Sequence, residues 1–184
     1  MEIVRIFELE HQGLYAIKYE NEDSDEFSRL FDLWQDIQYL EDFFETNKDD
    51  LVKSFYSYIS IEKAVLQTRD DAKELQKIIL GVKNDGNKKL FLDDYFKPLD
   101  NITYKPDELQ KSKAYGILEK SWIRLYAIKL DENYYLITGG SIKLTKKMSV
   151  RIHTQKELEK LNRCHAFLKE NGIIDVDGIK EISK

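Results

Sequence analysis

Between Trp122 and His153 the chain reads WIRLYAIKLDENYYLITGGSIKLTKKMSVRIH, and this block holds the side chains best suited to handling phosphate. Arg124 and Tyr126 are two residues apart, which places them on one face of a strand; Lys143, Lys146, Lys147, Arg151 and His153 follow within a short polar stretch. Cleaving RNA without a metal needs a base for the 2′-hydroxyl, cations for the charge that develops on the phosphorane, and an acid for the leaving oxygen. His153, with an ordinary pKa of about 6.5, or a lysine of depressed pKa can be the base, whereas Arg124 can act only as an electrostatic clamp. Arg124, Tyr126, Lys143 and His153 are therefore candidate catalytic residues, and Lys146, Lys147 and Arg151 candidate RNA contacts. The same residues admit a purely structural role: Arg124 paired with a helix carboxylate, Tyr126 packed in the core, and the lysines solvating a loop.

Other chemistries find no footing. Asp175-Val176-Asp177-Gly178 starts like a calcium loop, but its glycine stands at the fourth position instead of the sixth and no glutamate stands at the twelfth. Gly139-Gly140 with Lys143 lacks the order of a phosphate-binding P-loop, and G-x-G-x-x-G and G-x-S-x-G are absent. His11, His153 and His165 have no zinc-ligand spacing. Cys164 and His165 are adjacent on a helical stretch, so their side chains point about 100° apart, the wrong arrangement for a nucleophile and its base. No cofactor and no metal is expected.

The elements that must carry these residues can be read along the chain. Glu2 to Leu9 and Leu14 to Glu20 are rich in β-formers and flank His11-Gln12-Gly13, which predicts a hairpin over residues 1–20. Phe27, Leu30, Phe31, Trp34, Ile37, Leu40 and Phe44 recur at three- and four-residue steps, the stripe of one long amphipathic helix. Ser60 with Glu62 opens a further helix, Thr68 with Asp70 and Asp71 reads as another start, and the helical portion runs over 24–83. A loop is expected to about Leu118. A meander over 120–147 follows, turned at Asp131-Glu132-Asn133 and kinked at Gly139-Gly140, with a second strand segment from Ser141 to Thr145. Thr154 and Glu157 match a capping box for a helix over 154–171, which Gly172 stops, and residues 173–184 form a short packed helix or a tail. Leu14-Tyr15-Ala16-Ile17-Lys18 reappears as Leu125-Tyr126-Ala127-Ile128-Lys129; the flanks do not match, so we read it as two strands drawing on one narrow alphabet. The expected fold is a single α+β domain over 1–184, an antiparallel sheet with helices packed on one face.

Composition sets the frame. The 184 residues are 42% hydrophobic and 34% charged with only 2 prolines, which fits a globular chain and excludes a disordered one. A single cysteine forms no internal disulfide, and the sequence has no basic-then-apolar leader and no long uncharged apolar run, so a cytoplasmic protein without a membrane span is expected. The net charge of -5 hides a polarity: residues 1–100 hold 13 Lys+Arg against 23 Asp+Glu, and residues 101–184 hold 16 against 11. Local charge sets the field that a phosphate meets, so the C-terminal half can present a basic face despite the acidic total.

Three segments carry a resemblance: Phe96-Lys97-Pro98-Leu99, Arg124-Leu125-Tyr126-Ala127-Ile128, and Tyr135 through Lys147. They resemble the "KPL", "R-x-x-Y" and "G-x-x-K-K-T-x-K" pattern of HigB-type members of the RelE/HigB/ParE toxin superfamily, as does the order strand, helices, meander, helix. The resemblance implies ribosome-associated mRNA cleavage and neutralisation by a partner antitoxin, in a toxin-antitoxin or phage-defence setting. The chain departs from it in being about twice as long, acidic overall and enlarged in its helical portion, and in carrying Leu144 where the pattern has a second lysine. A non-catalytic protein-interaction or regulatory module on the same scaffold is the alternative that these departures leave open.

Overall fold

In the computed structural model, residues 1–53, 59–81, 90–99, 109–118, 121–145 and 151–184 are described. Strands β1 (Glu2–Leu9) and β2 (Gln12–Lys18) form the expected hairpin, and β3 (Phe96–Pro98), β4 (Gln110–Tyr115), β5 (Ile123–Asp131) and β6 (Tyr134–Ile142) complete a six-stranded sheet. Its order is β1-β2-β6-β5-β4-β3, so the N-terminal hairpin joins the sheet along the last strand of the meander. The fold is α+β. One pair departs from the antiparallel expectation: β2 and β6 run parallel, Gly13 opposite Tyr134 through Ala16 opposite Ile137. The reason is topological: the helical portion carries the chain from β2 to β3 at the far edge of the sheet, and the three antiparallel steps from β3 to β6 leave β6 running in the direction of β2.

The helices α1 (Glu26–Leu33), α2 (Ile37–Thr46), α3 (Lys48–Lys53) and α4 (Ile61–Gly81) cover one face of the sheet. Their stripe of Phe27, Leu30, Phe31, Trp34, Leu40 and Phe44 packs on Leu14, Ala16, Leu125, Ala127 and Ile137. The stripe belongs to two helices, not one. Asp36 interrupts it as an N-cap, its Oδ1 accepting from the Tyr39 N–H at 3.0 Å, just as Asp25 caps α1 by accepting from the Ser28 N–H. By contrast, α4 is a single helix in which Thr68 starts nothing: its hydroxyl donates to the Ala64 carbonyl at 2.7 Å and accepts the indole N–H of buried Trp122 at 2.8 Å. Asp71, read as a first-turn carboxylate, is instead buried and accepts the backbone N–H groups of Ile117 and Leu118, anchoring the loop between β4 and β5.

The C-terminal helices α5 (Ile152–Glu170) and α6 (Val176–Ile182) lie on the opposite face. There Leu161, Cys164, Leu168 and Ile179 pack on Tyr15, Ile17, Ile128 and Leu136. Both faces are thus covered, and every residue of β6 is buried. The capping box does not form: α5 begins at Ile152, and the Thr154 hydroxyl donates back to the Arg151 carbonyl. The expected loop before Leu118 contains β4, whose pattern Gln-Lys-Ser-Lys-Ala-Tyr alternates charged with small residues and so carries little apolar signal. The kink is a bulge at Thr138, skipped between the pairs Tyr126 with Gly139 and Ala127 with Ile137, and β6 ends at Ile142 without continuing to Thr145. The two copies of Leu-Tyr-Ala-Ile-Lys flank β6 on its two sides, Leu and Ala toward α1 to α4 and Ile toward α5 in each copy. No helix among the described residues is long and apolar enough to cross a membrane.

Candidate functional site: a basic strand face and a crevice beside it

The residues marked out by the sequence separate into two groups. Arg124 and Tyr126 point to the α5 side of β5, and the pairing of β4 with β5 sets Tyr115 opposite Arg124 and Lys113 opposite Tyr126. The guanidinium of Arg124 is fixed in place: Nη1 donates to the carbonyls of Ser121 at 2.9 Å and Ile123 at 2.7 Å, and Cζ lies 4.1 Å from the centroid of the Tyr115 ring. A cation over an aromatic face keeps its charge while shedding part of its water, and Tyr115 is itself 42% exposed. The ammonium of Lys113 sits 5.8 Å from the same ring and donates to the Leu99 carbonyl at 2.9 Å. Lys143 stands close enough to both that burial first, then the charges of Arg124 and Lys113, hold its pKa below the usual lysine value. Its backbone N–H donates to the Trp122 carbonyl, extending the ladder one residue past β6.

Tyr126 belongs beneath this cluster. It is 1% exposed, with its hydroxyl 3.2 Å from the Ser141 hydroxyl and its pKa raised by burial. Arg151 is turned away, held by Asp50 of α3 in a two-pronged ion pair that keeps the Asp50 carboxyl below its usual range. Lys146 and Lys147 lie outside the described residues. His153 faces α2: its ring stands edge-on to Phe43 at 5.2 Å, Nε2 is 3.1 Å from the Ile142 carbonyl, and burial lowers its pKa.

His153 leads to a second feature that the sequence did not reveal. β2 and β6 stay paired only as far as Ala16 and Ile137, after which they part. The chain leaves β2 into α1 on one face and leaves β6 toward α5 on the other, which makes this a switch point in an open sheet, the place where crevices form at the carboxyl ends of strands. Side chains take over the backbone bonding that the missing strand would supply. The Tyr19 hydroxyl donates to the Thr138 carbonyl at 2.8 Å, and the Gly140 N–H donates to Glu157 Oε2 at 2.9 Å.

The carboxylates here are paired. Glu26, 1% exposed, receives Arg29 through Nε at 2.8 Å and Nη2 at 2.9 Å, and Lys160 donates to both of its oxygens at 3.3 Å. Lys160 also reaches Glu157 at 3.2 Å. Burial nevertheless pushes the Glu157 carboxyl above its usual range, because one shared ammonium does not repay the lost water. A Cβ on Gly139 would stand 2.1 Å from Glu157 Oε2, so this glycine lets α5 close on the strand; one on Gly140 would stand 2.8 Å from the Arg124 carbonyl oxygen and 2.9 Å from Leu30 Cδ1, so this one makes room for β5 and α1. Arg29, Trp34, Tyr39, Phe43, His153 and Glu157, with Gly140, Ser141 and Ile142 of β6, line a cleft of about 250 Å³. The signal for it in the sequence was the pair His153 and Glu157, one helical turn apart, which the capping-box reading assigned to another task.

Among the described residues no group of His, Cys, Asp and Glu is arranged to hold a metal ion. Comparison with known proteins gives no match to any family model, curated protein or solved structure.

Proposed function

We propose that the chain is a toxin-like RNA-binding protein of the bacterial cytoplasm, acting as a metal-independent, ribosome-associated mRNA endonuclease of a toxin-antitoxin or phage-defence system. The observation that carries this reading is that Lys113 and Arg124 stand against the exposed Tyr115 ring on one strand face, with Lys143 close enough to feel both charges. Three cations that mutually raise one another's cost gain most from an incoming phosphate, and an aromatic ring among them offers a base a surface to stack on. Lys143 is suited to take the 2′-hydroxyl proton, because its depressed pKa raises the share of neutral amine. Arg124, already oriented by two carbonyls, faces the charge that develops on the phosphorane, and Lys113 is the proton donor to the leaving oxygen. In this reading the partners are RNA or the ribosome and an antitoxin protein.

One observation favours the non-catalytic alternative, an interaction or regulatory module. Tyr126 is sealed under Ser141, and His153 is engaged with Ile142 on the far side of β6, so two of the four side chains expected to do chemistry do not reach the basic face. Induced expression in bacteria separates the two. The endonuclease reading requires growth arrest with transcript cleavage, relieved by R124A or K143A. Unaffected growth and intact transcripts, with the protein folded and abundant, would reject it and leave the module.

A further inference from the structure

We propose that the crevice at the carboxyl ends of β2 and β6 is a base-recognition pocket that takes one unstacked guanine, read by Glu157 and Arg29 against the aromatic side chains of α2. This rests on the RNA-binding reading above and adds to it a second contact surface and a preference among bases.

Size is the first argument. Pockets that enclose drug-sized molecules run to about 300–1,000 Å³, so a cleft of about 250 Å³ suits a single flat ring system. Tyr39 and Phe43, half-buried with ring centroids 6.3 Å apart, supply the faces that a splayed base stacks on. The polar groups then choose the base. Each oxygen of Glu157 already accepts one hydrogen bond, Oε1 from Lys160 and Oε2 from the Gly140 N–H, and each retains a second lone pair. Arg29 spends Nε and Nη2 on Glu26, while its Nη1 donates to no described residue. The pocket therefore offers a carboxylate that accepts two N–H groups and a guanidinium edge that donates. Guanine alone among the four bases has adjacent ring N–H and amino donors for the first, with O6 and N7 as acceptors for the second. Adenine turns its amino group toward the guanidinium, and the pyrimidines lack the paired donors.

Position is the second argument. Ser141 lies opposite Arg124 across the β5–β6 pair, its hydroxyl meets Tyr126 under the basic face, and it also lines the crevice. The phosphate site on β4 and β5 and the crevice beside β6 are thus one to two strand spacings apart, roughly 5–10 Å, within reach of neighbouring nucleotides of one strand.

The test is a titration of the isotope-labelled protein with the four nucleosides, which carry no phosphate, followed through the backbone amide resonances of Gly140 and Ser141. Guanosine is expected to shift both saturably and at least tenfold more tightly than adenosine, cytidine or uridine. In parallel, a short guanine-containing RNA should bind more tightly than oligouridylate of equal length, and E157Q should abolish that preference. If E157Q fails to fold, Y39A is the second variant, expected to weaken guanosine binding at least tenfold. Equal shifts from all four nucleosides, or none, overturn the inference. If that happens while RNA still binds with steep salt dependence, the function reading stands without it. Guanosine binding without any RNA binding overturns the link to RNA and leaves a site for free guanine nucleotides.

Discussion

The two halves of the β2–β6 pair face opposite problems with the same two strands. From Gly13 to Ala16 and from Tyr134 to Ile137, backbone bonds backbone, and both faces are packed with Leu14, Leu136, Ile137 and their helix partners. One bulge later the strands separate, and Tyr19 and Glu157 take the exposed backbone groups with paired charges closing in around them. The first arrangement is self-sufficient. The second leaves a cleft, a carboxyl above its usual range and a guanidinium edge in reach of a ligand, and the basic strand face lies on the other side of Ser141. The lesson is that backbone groups bonded by side chains instead of a strand leave room for other molecules, at a cost in stability that the paired half must cover.

The contrast can be broken from either half. Leu136→Ala in the paired half should cost the most, about 2–5 kcal/mol by denaturant unfolding, because it opens a cavity at a fully buried position. It should leave nucleoside binding in the crevice unchanged. Gly140→Ala should cost about 1–3 kcal/mol, since its Cβ meets a carbonyl oxygen of the neighbouring strand that cannot turn aside, and it should also disturb the crevice. Thr68→Val removes the acceptor of the Trp122 indole N–H and leaves it buried without a partner, a loss of about 1–3 kcal/mol remote from both sites.

Much of this organisation was legible in the sequence, and the failures share a cause. The hairpin, the aromatic stripe, the Asn133 turn with its φ of 59° and the α+β class follow from local pattern and residue type. What misled were residues whose local signal was genuine but was overruled by a distant partner. Thr154 and Glu157 spell a capping box, yet Glu157 is drawn to the Gly140 N–H, 17 residues back. Thr68 and Asp71 spell a helix start, yet they serve Trp122 and the loop after β4. β4 was invisible because its identity comes from pairing with β5, and with it went Lys113 and Tyr115, half of the basic face. Strand alternation and charge place Arg124 and Lys143 on the basic face; Arg151 and His153 stand near them in sequence, but Arg151 pairs with Asp50 of α3 and His153 packs on Phe43 of α2.

A smaller effect sharpens the contrast through pH. Burial raises the Glu157 carboxyl above the ordinary glutamate value of 4.5, so its contribution to stability is intact below about pH 4.5 and is lost as the pH rises through the folded value. Glu157→Gln keeps an acceptor for the Gly140 N–H without the charge. The variant should therefore gain stability relative to the parent as pH rises from 4 to 7, read as a difference between two thermal unfolding series. A gap that shrinks over that range would place the cost of the crevice elsewhere.

The central claim, that the strand face around Arg124 binds RNA through its phosphates, is met most directly by the salt dependence of binding to a short single-stranded RNA. With Lys113, Arg124 and Lys143 each contacting one phosphate, log K should fall with log salt at a slope of about -2, from about 0.7 per contact. Alanine at any one of the three should reduce that slope by about 0.7 and weaken binding to all sequences alike, while Arg151→Ala leaves the slope unchanged. A slope near zero, or one that the triple alanine variant does not alter while remaining folded, would contradict the account.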